Sequence, residues 1–581
     1  MKIKIVTILA FVLLLMSCEG MFDPKNENLS ERERIYRDAG FAEGLLMSAY
    51  TRVPIQSLGS PTDVATDNAV TNDRNSNYLR MGTGQWSATF DPVSVWNNCN
   101  TAMLFLDQFI SIIDTVQWKR SAEVNSLFQK RFKGEAYALR GIIQYHLLQT
   151  IAGYGESGTL LGTPFYRDDN NFNIPRRSFA ESVEQIYRDF DTALEYLTMD
   201  DYKDLTSESE LPPGYAGYTV PDYNLIFGKT LNQRVSGRIV KAYKARLALL
   251  EASPAFSPNN DEALWEKAAN YAGQILETIG GVSGLDSKGH IFYQQAQVDG
   301  IDLASTGDLK EIIWRRPIAE NRNREEDNFP PSLYGRGRIN PSQNLVDAFP
   351  MANGMPITAD ESGYDATNPY AGRDPRLKEY IAYNGNTVAG VQILTRVGGG
   401  TNAKDSIATS TRTGYYMKKL LREDVSLNPT GPTNRKHFEV YMRYTELFLI
   451  YAEAANEAWG PDQKGSFSFS AREVIAAIRK RGGITTDTYL SAVTTKEQMR
   501  ELIRNERRIE LCFEGVRFWD LRRWKADLSE TVKGININYN GSIRNIVNVE
   551  DRIYDNDYMH YAPLPRTEVV KLSALEQNKG W

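Results

Sequence analysis

Several kinds of chemistry can be tested against this 581-residue chain by residue type and spacing. "GYGESG" (153–158) fits the G-x-G-x-x-G pattern of dinucleotide sites, which needs a strand before it and a helix start directly after. Here a helix-like stretch precedes it and Thr159 to Pro164 follow, so it reads as a turn. "DDNNFN" (168–173) begins like a calcium loop. With Asp169 in first position, however, Ile174 stands where glycine belongs and Ala180 where the bidentate glutamate belongs. No cofactor is expected; a looser calcium site stays open without being indicated. His146, His290, His437 and His560 are far apart, with no neighbour at metal-ligand spacing. There is no nucleophile elbow and no P-loop. A glycosidase needs two facing carboxylates, and nothing marks such a pair among 73 acids. The chain carries no positive sign of an enzyme.

The densest charge lies in "IRNERRIELCFEGVRFWDLRRW" (503–524). Its signs alternate, which argues against a basic nucleic-acid surface. Arg507 and Glu510, Arg517 and Asp520, and Asp520 and Arg523 are each three apart, a spacing at which helical side chains can pair. Gly515 breaks the rod, and Phe518, Leu521 and Trp524 recur every third residue after it. A partly buried ionic network that locks two helices at an angle suits this pattern, because the planar guanidinium pairs with carboxylates through two bonds.

The elements that must position any site are mostly helical. Apolar residues recur at three- and four-residue steps in 132–153 (Ala136, Leu139, Ile143, Leu147) and 178–197 (Val183, Ile186, Phe190, Ala193, Leu197). Segments 236–253, 263–279, 441–460 and 469–483 behave alike. Ser178 followed by Glu181 is a capping box. The segments come in antiparallel-looking, Ala-rich pairs, the logic of tetratricopeptide-type hairpins, although the strict 34-residue period is missing. Between them lie insertions at 198–235, 281–345, 350–375 and 395–436, rich in Gly, Pro, Asn, Asp and Tyr; loops this long are functional or disordered. In "GININYNGSIRNIVNV" (534–549), alternating Ile535, Ile537 and Tyr539 before Asn540-Gly541 predict a hairpin with a type I′ turn. The fold class expected is mainly α, in helix pairs, with a loop-rich part and minor β-hairpins.

The chain opens "MKIKIVTILAFVLLLMSCEG". Lys2 and Lys4 precede twelve apolar or near-apolar residues, too few to span a bilayer but right for an export signal. Leu15-Met16-Ser17-Cys18 resembles a bacterial lipobox, which makes Cys18 the lipidated residue, residues 1–17 the signal and 18–32 a tether; residues 33–581 are expected to form a single domain. Cleavage removes two lysines and no acid, taking the net charge from −6 to −8. An acidic exported protein is a poor partner for nucleic acid. Cys99 and Cys512 then remain, and each is expected to be a small buried residue. The 31 Tyr and 9 Trp suit either a wet recognition surface or a Tyr-rich core.

The stretch at 503–524 resembles the C-terminal signature of the SusD/RagB family, surface lipoproteins of nutrient-uptake systems. The resemblance extends to "SVWNNCNTAMLFLDQF" (94–109), "GEAYALRGIIQYHLLQTIAGYG" (134–155), "GRDPRL" (372–377), "RYTELFLIYAEAANE" (443–457) and the terminal "YAPLPRTEVVKLSALEQNKGW". Met16 before the lipobox serine and Asn100 depart from the family pattern. The resemblance implies four tetratricopeptide-like pairs and a loop-rich second half. It implies a non-enzymatic, outer-membrane lipoprotein that captures oligosaccharide for a SusC-like TonB-dependent transporter. A RagB-like peptide binder is the alternative, and a surface glycosidase a further one.

A sugar offers C–H faces that stack on rings and hydroxyls that bond to polar tips. Two loops fit. One carries Asn72, Arg74, Asn77, Tyr78, Arg80 and Trp86. The other carries Trp314, Arg315, Arg316, Phe329, Tyr334 and Arg336.

Overall fold

The computed structural model describes residues 36–55, 59, 61–165, 171–301, 308–542 and 544–581. The expected signal, Cys18 and tether lie outside these residues, as do Asp168, Asp169 and Asn170 of the calcium-like loop.

Eight long helices pack as four consecutive pairs: α1 (Ala39–Tyr50) on α2 (Trp96–Ile112), α3 (Ala122–Ile151) on α4 (Phe179–Tyr196), α5 (Gly237–Ala252) on α6 (Glu262–Thr278), and α7 (Tyr444–Trp459) on α8 (Ala471–Arg481). The expected capping box starts α4: Glu181 N–H donates to Ser178 Oγ at 3.2 Å, and the Glu181 carboxylate accepts from Ser178 N–H at 3.0 Å. Val183, Ile186, Phe190 and Ala193 then turn inward against α3. Gly141 allows the close approach, since a Cβ there would lie 2.6 Å from the Phe190 ring. Helix α7 is buried from Tyr444 to Ala458, because α6 packs on it as well as α8. A helix covered all round is mostly apolar, which its Ala and Leu content provides, and its buried carboxylates are paired: Glu446 with Arg246, Glu453 with Arg523 and Glu457 with Arg500. Cys99 and Cys512 are buried and unpaired.

Two boundaries differ from expectation. Helix α7 does not begin at 441. Val440–Arg443 is instead a strand, β4, that pairs antiparallel with β2 (Ile312–Arg315); β-branched and aromatic residues buried on both faces favour the strand. The hairpin β5 (Val532–Ile537) and β6 (Arg544–Glu550) does form, with Ile537 opposite Arg544, but its connection is wider than a two-residue type I′ turn. That turn needs positive φ at both central residues. Gly541 has φ +79°, whereas the Asn540 side chain bonds locally, accepting from Ser542 Oγ at 2.7 Å.

The insertions gather into a second half with its own apolar core around Leu345, Tyr380, Tyr415, Tyr416, Ile509 and Phe513. Its strands are short antiparallel pairs. One of them joins distant parts of the chain: β1 (Ala69–Thr71) pairs with β3 (Ile339–Pro341), Val70 opposite Asn340.

The charged stretch fastens the two halves. Helix α9 (Lys496–Glu510) ends shortly before Gly515 (φ +73°), and α10 (Arg517–Arg523) leaves at a new angle. Asp520 pairs with Arg523 at 2.9 Å, as its spacing suggests. The other two spacings are not used as expected. Arg507 reaches across the bend to Asp520 (2.7 Å) and Arg517 to Asp67 (2.8 Å). Glu510 meets guanidiniums from other elements: Arg376 at 3.0 Å, together with Arg481 and Arg443. Burial pushes the Glu510 carboxyl up, and Arg481, Arg376 and Arg443 more than reverse this, leaving it well below the usual carboxylate range. Glu453 on α7 is opposed in the same way: burial raises it, and Arg523 with Arg507 and the Trp524 N–H brings it to about 2.

Candidate functional site

The ring-lined surface expected from the two aromatic loops is not what the structure builds. Trp86 is 3% exposed, donates Nε1–H to Asp91 at 2.8 Å and meets Phe518, Tyr554 and Trp581 edge-on. Trp314 sits on β2 at the seam with the helices, 3% exposed, stacked on Tyr441 with ring centres 4.0 Å apart. Phe329 is 1% exposed. All three are core, because a large ring gains more from packing under its loop than from standing in water. Tyr78 is half-buried, its hydroxyl donating to Pro92 O at 3.2 Å. Asn77 and Arg80 are exposed, with Arg80 lying 4.2 Å over the Phe90 ring. Arg315 is buried against Asp308 at 2.7 Å. Arg316 bonds Tyr441 Oη at 3.1 Å and borders a shallow cleft of about 420 Å³ with Arg324, His437 and Glu439. Arg336 pairs with Asp327 on the surface. Tyr334 is 60% exposed.

The two loops nonetheless converge, at residues other than the rings. β1 delivers Asn72, whose Nδ2 donates to Arg336 O and Gly337 O, both at 2.9 Å, and to Ser410 O at 3.3 Å. One buried amide thus ties together three segments. A second knot lies beside it: Asn340 Nδ2 donates to Gly337 O at 2.8 Å while its Oδ1 accepts from Arg412 N–H at 2.9 Å. Arg412 Nη1 completes the floor, donating to Thr71 O (2.9 Å) and Glu550 (2.7 Å) on β6.

Over this floor opens a cleft of about 760 Å³, lined by Asn72, Arg74, Lys404, Asp405, Ser406, Ile407, Ala408, Ser410, Arg412, Asn548 and Val549. Its walls are rigid for loops. Ser410 Oγ donates to Thr401 O at 2.7 Å and accepts from Ile407 N–H at 2.9 Å. Asn402 clasps Ser332 through Ser332 N–H (3.0 Å) and Oγ (2.7 Å), fastening the Tyr334 turn to the same wall. Tyr334 takes φ +65°, an outlier for a bulky residue and a marker of function when the surroundings enforce it. A second exposed ring, Tyr539 (70% exposed), stands at the β5–β6 turn with Arg396 Cζ 5.1 Å from its centre. It lies against Gly398, where a Cβ would meet the ring at 2.6 Å.

The cleft therefore offers hydroxyl, amide and guanidinium groups and three apolar side chains (Ile407, Ala408 and Val549), while the exposed Tyr334 and Tyr539 lie outside its lining, against the segment that leads into the 404–412 wall. Among its described lining residues Asp405 is the single carboxylate, tied to Lys404 at 2.6 Å; the pair that glycoside hydrolysis requires is not present there. Among the described residues no group of His, Cys, Asp and Glu is arranged to hold a metal, and no helix is long and apolar enough to cross a membrane. A smaller cavity of about 60 Å³ beside Arg507, Arg523 and Tyr145 has room for water, not a sugar ring.

Sequence reasoning named none of the 404–412 wall, Tyr539 or Asn548 as a site residue; Tyr539 entered only as part of the hairpin pattern. Tyr539, directly before Asn-Gly, was the available signal: a ring at a turn has little to pack beneath it. The polar run "KDSIATSTR" carried none.

A mainly helical frame of four pairs thus carries a loop-rich half that presents a polar cleft. Residues 310–581 match the sequence profile of the SusD family. SusD-like protein P2 of Formosa agariphila is 33% identical over 139 residues, 24% of this chain and 24% of that protein, so the aligned part spans about a quarter of its length. Over nearly the whole chain the fold matches a SusD-like protein from Bacteroides fragilis (TM-score 0.70, 22% identity, 95% of this chain and 99% of the other). It also matches a SusD-like carbohydrate binding protein from the same species (TM-score 0.67, 20% identity, 93% and 99%). Residues 310–581 are thus similar in sequence to the SusD family, and the chain as a whole has the SusD-like fold.

Proposed function

We propose that this protein is a non-enzymatic capture protein for oligosaccharides, that the cleft floored by Asn72 is where they bind, and that Cys18 carries the lipid that holds it to the outer membrane. In this reading residues 1–17 are removed, 18–32 form the tether and 33–581 act as one binding domain, passing the glycan to a SusC-like TonB-dependent transporter. The single observation that carries the capture role is the cleft itself, about 760 Å³ of open, rigid-walled space, within the usual size for small-ligand sites. Asn548, Ser406 and Arg74 can bond hydroxyls, while Ile407 and Val549 can take a C–H face. The carbohydrate-binding designation of a protein with the same fold supports the choice of sugar over peptide.

The test is a glycan array with the lipid-free domain, followed by titration of the hits and a reducing-end assay. Binding that is lost in Ile407→Asp, without product formation, is the expected result. Release of reducing ends would favour a hydrolase, and a response to peptides alone would favour the RagB-like reading. For the anchor, Cys18→Ala is expected to move the protein from the membrane to the soluble fraction.

A further inference from the structure

We infer that the ligand is an acidic glycan, recognised through a carboxylate or sulfate ester that pairs with Arg74. The inference rests on reading the cleft as the sugar site and names the class of sugar it selects. Three cations line the cleft, Arg74, Lys404 and Arg412, against one acid, Asp405. Their states differ. Lys404 is held by Asp405 at 2.6 Å. Arg412 is held in the floor by Glu550 and Thr71 O, and Glu550 is shared with Arg552, so that group keeps one net positive charge. Arg74 is exposed, with no hydrogen-bond or ionic partner among the described residues. Its backbone position is nonetheless fixed: it lies two residues from the Asn72 knot, in a turn where Asp73 Oδ1 accepts from Asn75 N–H at 3.1 Å.

A guanidinium without a partner, set on a rigid floor, is prepared to take two oxygens of an incoming planar or tetrahedral anion. The surplus positive charge in the cleft contrasts with the chain's net charge of −6. An acidic protein that concentrates cations in its open cleft attracts anions there and repels them elsewhere. A neutral sugar would leave both features unused.

The test uses an array of paired oligosaccharides, in which each uronate-bearing member stands beside its methyl ester and each sulfated member beside its desulfated form. Expected is binding of an acidic member at least about tenfold tighter than its neutral partner, weakened about tenfold by Arg74→Ala and by 0.5 M NaCl, as screening of an exposed pair requires. Arg74→Lys should recover part of the loss. Whether esterification or desulfation abolishes binding tells carboxylate from sulfate. Equal affinity for the acidic and neutral members, or acidic binding unmoved by Arg74→Ala, overturns the inference. If neutral glycans bind and Ile407→Asp abolishes that binding, the cleft remains the sugar site and only the acidic class falls. If no glycan binds at all, both readings fall. Arg74 is exposed, so its variants should melt as the wild type does.

Discussion

The helical frame and the loop-rich half are held together by different physics. In the frame, each helix pairs with its neighbour in sequence and the contacts are mainly apolar: α3 on α4, α5 on α6, with Leu139, Ile143, Ile186 and Phe190 fully buried. In the second half, side chains reach across hundreds of residues to bond backbone or to neutralise buried charge. Asn72 holds residues 264 and 338 positions away, and Arg552 donates to Val64 O, Thr66 O and Ala69 O from more than 480 residues away. Helix pairs can specify themselves locally. Loops without regular ladders must satisfy each polar group one at a time, since an unpaired buried one costs about 1–3 kcal/mol. The first arrangement gives a stiff body; the second gives a shaped cleft at the expense of many exact partnerships.

Substitutions should separate the two regimes. Glu510→Ala removes the acid shared by Arg376, Arg443 and Arg481 and is expected to destabilise most, by about 3–5 kcal/mol, since a broken buried pair leaves charge uncompensated; urea denaturation reads this directly. Leu139→Ala in the frame should lower the unfolding free energy by about 2–5 kcal/mol through cavity formation, with ligand affinity per folded molecule unchanged. If Leu139→Ala instead weakened binding as much as a cleft variant, frame and cleft would not be separable.

Acid should act on the ionic fastenings. Glu453 has a folded pKa of about 2 against an ordinary 4.5, so its stabilisation is complete above pH 4.5 and is lost as pH falls through 2, roughly 3 kcal/mol in all. Asp63 and Asp91 run the other way. Burial raises both to about 6, so their contribution is present below 3.8 and lost as pH rises through 6. Melting temperature should therefore rise as pH falls through 6 and collapse below about 4.5. In Glu453→Gln the lower limb should flatten.

Smaller effects belong to the cleft. Asn72→Ala leaves Arg336 O and Ser410 O without this donor, while Gly337 O keeps Asn340, and should cost about 1–3 kcal/mol, with ligand affinity falling as the walls separate. Tyr334→Asn is expected to raise stability by a few tenths of a kcal/mol, because Asn tolerates positive φ better than Tyr. The same change should weaken glycan binding in titration. A stability gain with binding intact would remove Tyr334 from the site.

How much of this was legible in the sequence follows the same division. The capping box at Ser178 and the apolar faces of α3 to α6 could be read because their determinants lie within four residues. The ionic character of 503–524 could be read too, but not the partners of Arg507 and Arg517, since Asp520 lies across a bend and Asp67 is 450 residues from Arg517. Trp86, Trp314 and Phe329 were placed on the binding surface because a ring in a loop has the same local sequence whether it faces water or the core beneath. Asn72 and Arg74 do line the cleft; which side chains surround them depends on long-range pairing that no local pattern encodes.

The pairing of Ala69–Thr71 with Ile339–Pro341 carries a consequence for biogenesis. A ribosome finishes the first strand long before the second exists, and Arg552, which seals the same segment, emerges later still. An interrupted or clipped polypeptide can therefore own several finished helix hairpins yet lack the floor of the cleft. Only molecules that extend past Arg552 would hold that floor closed, a built-in proofreading of length.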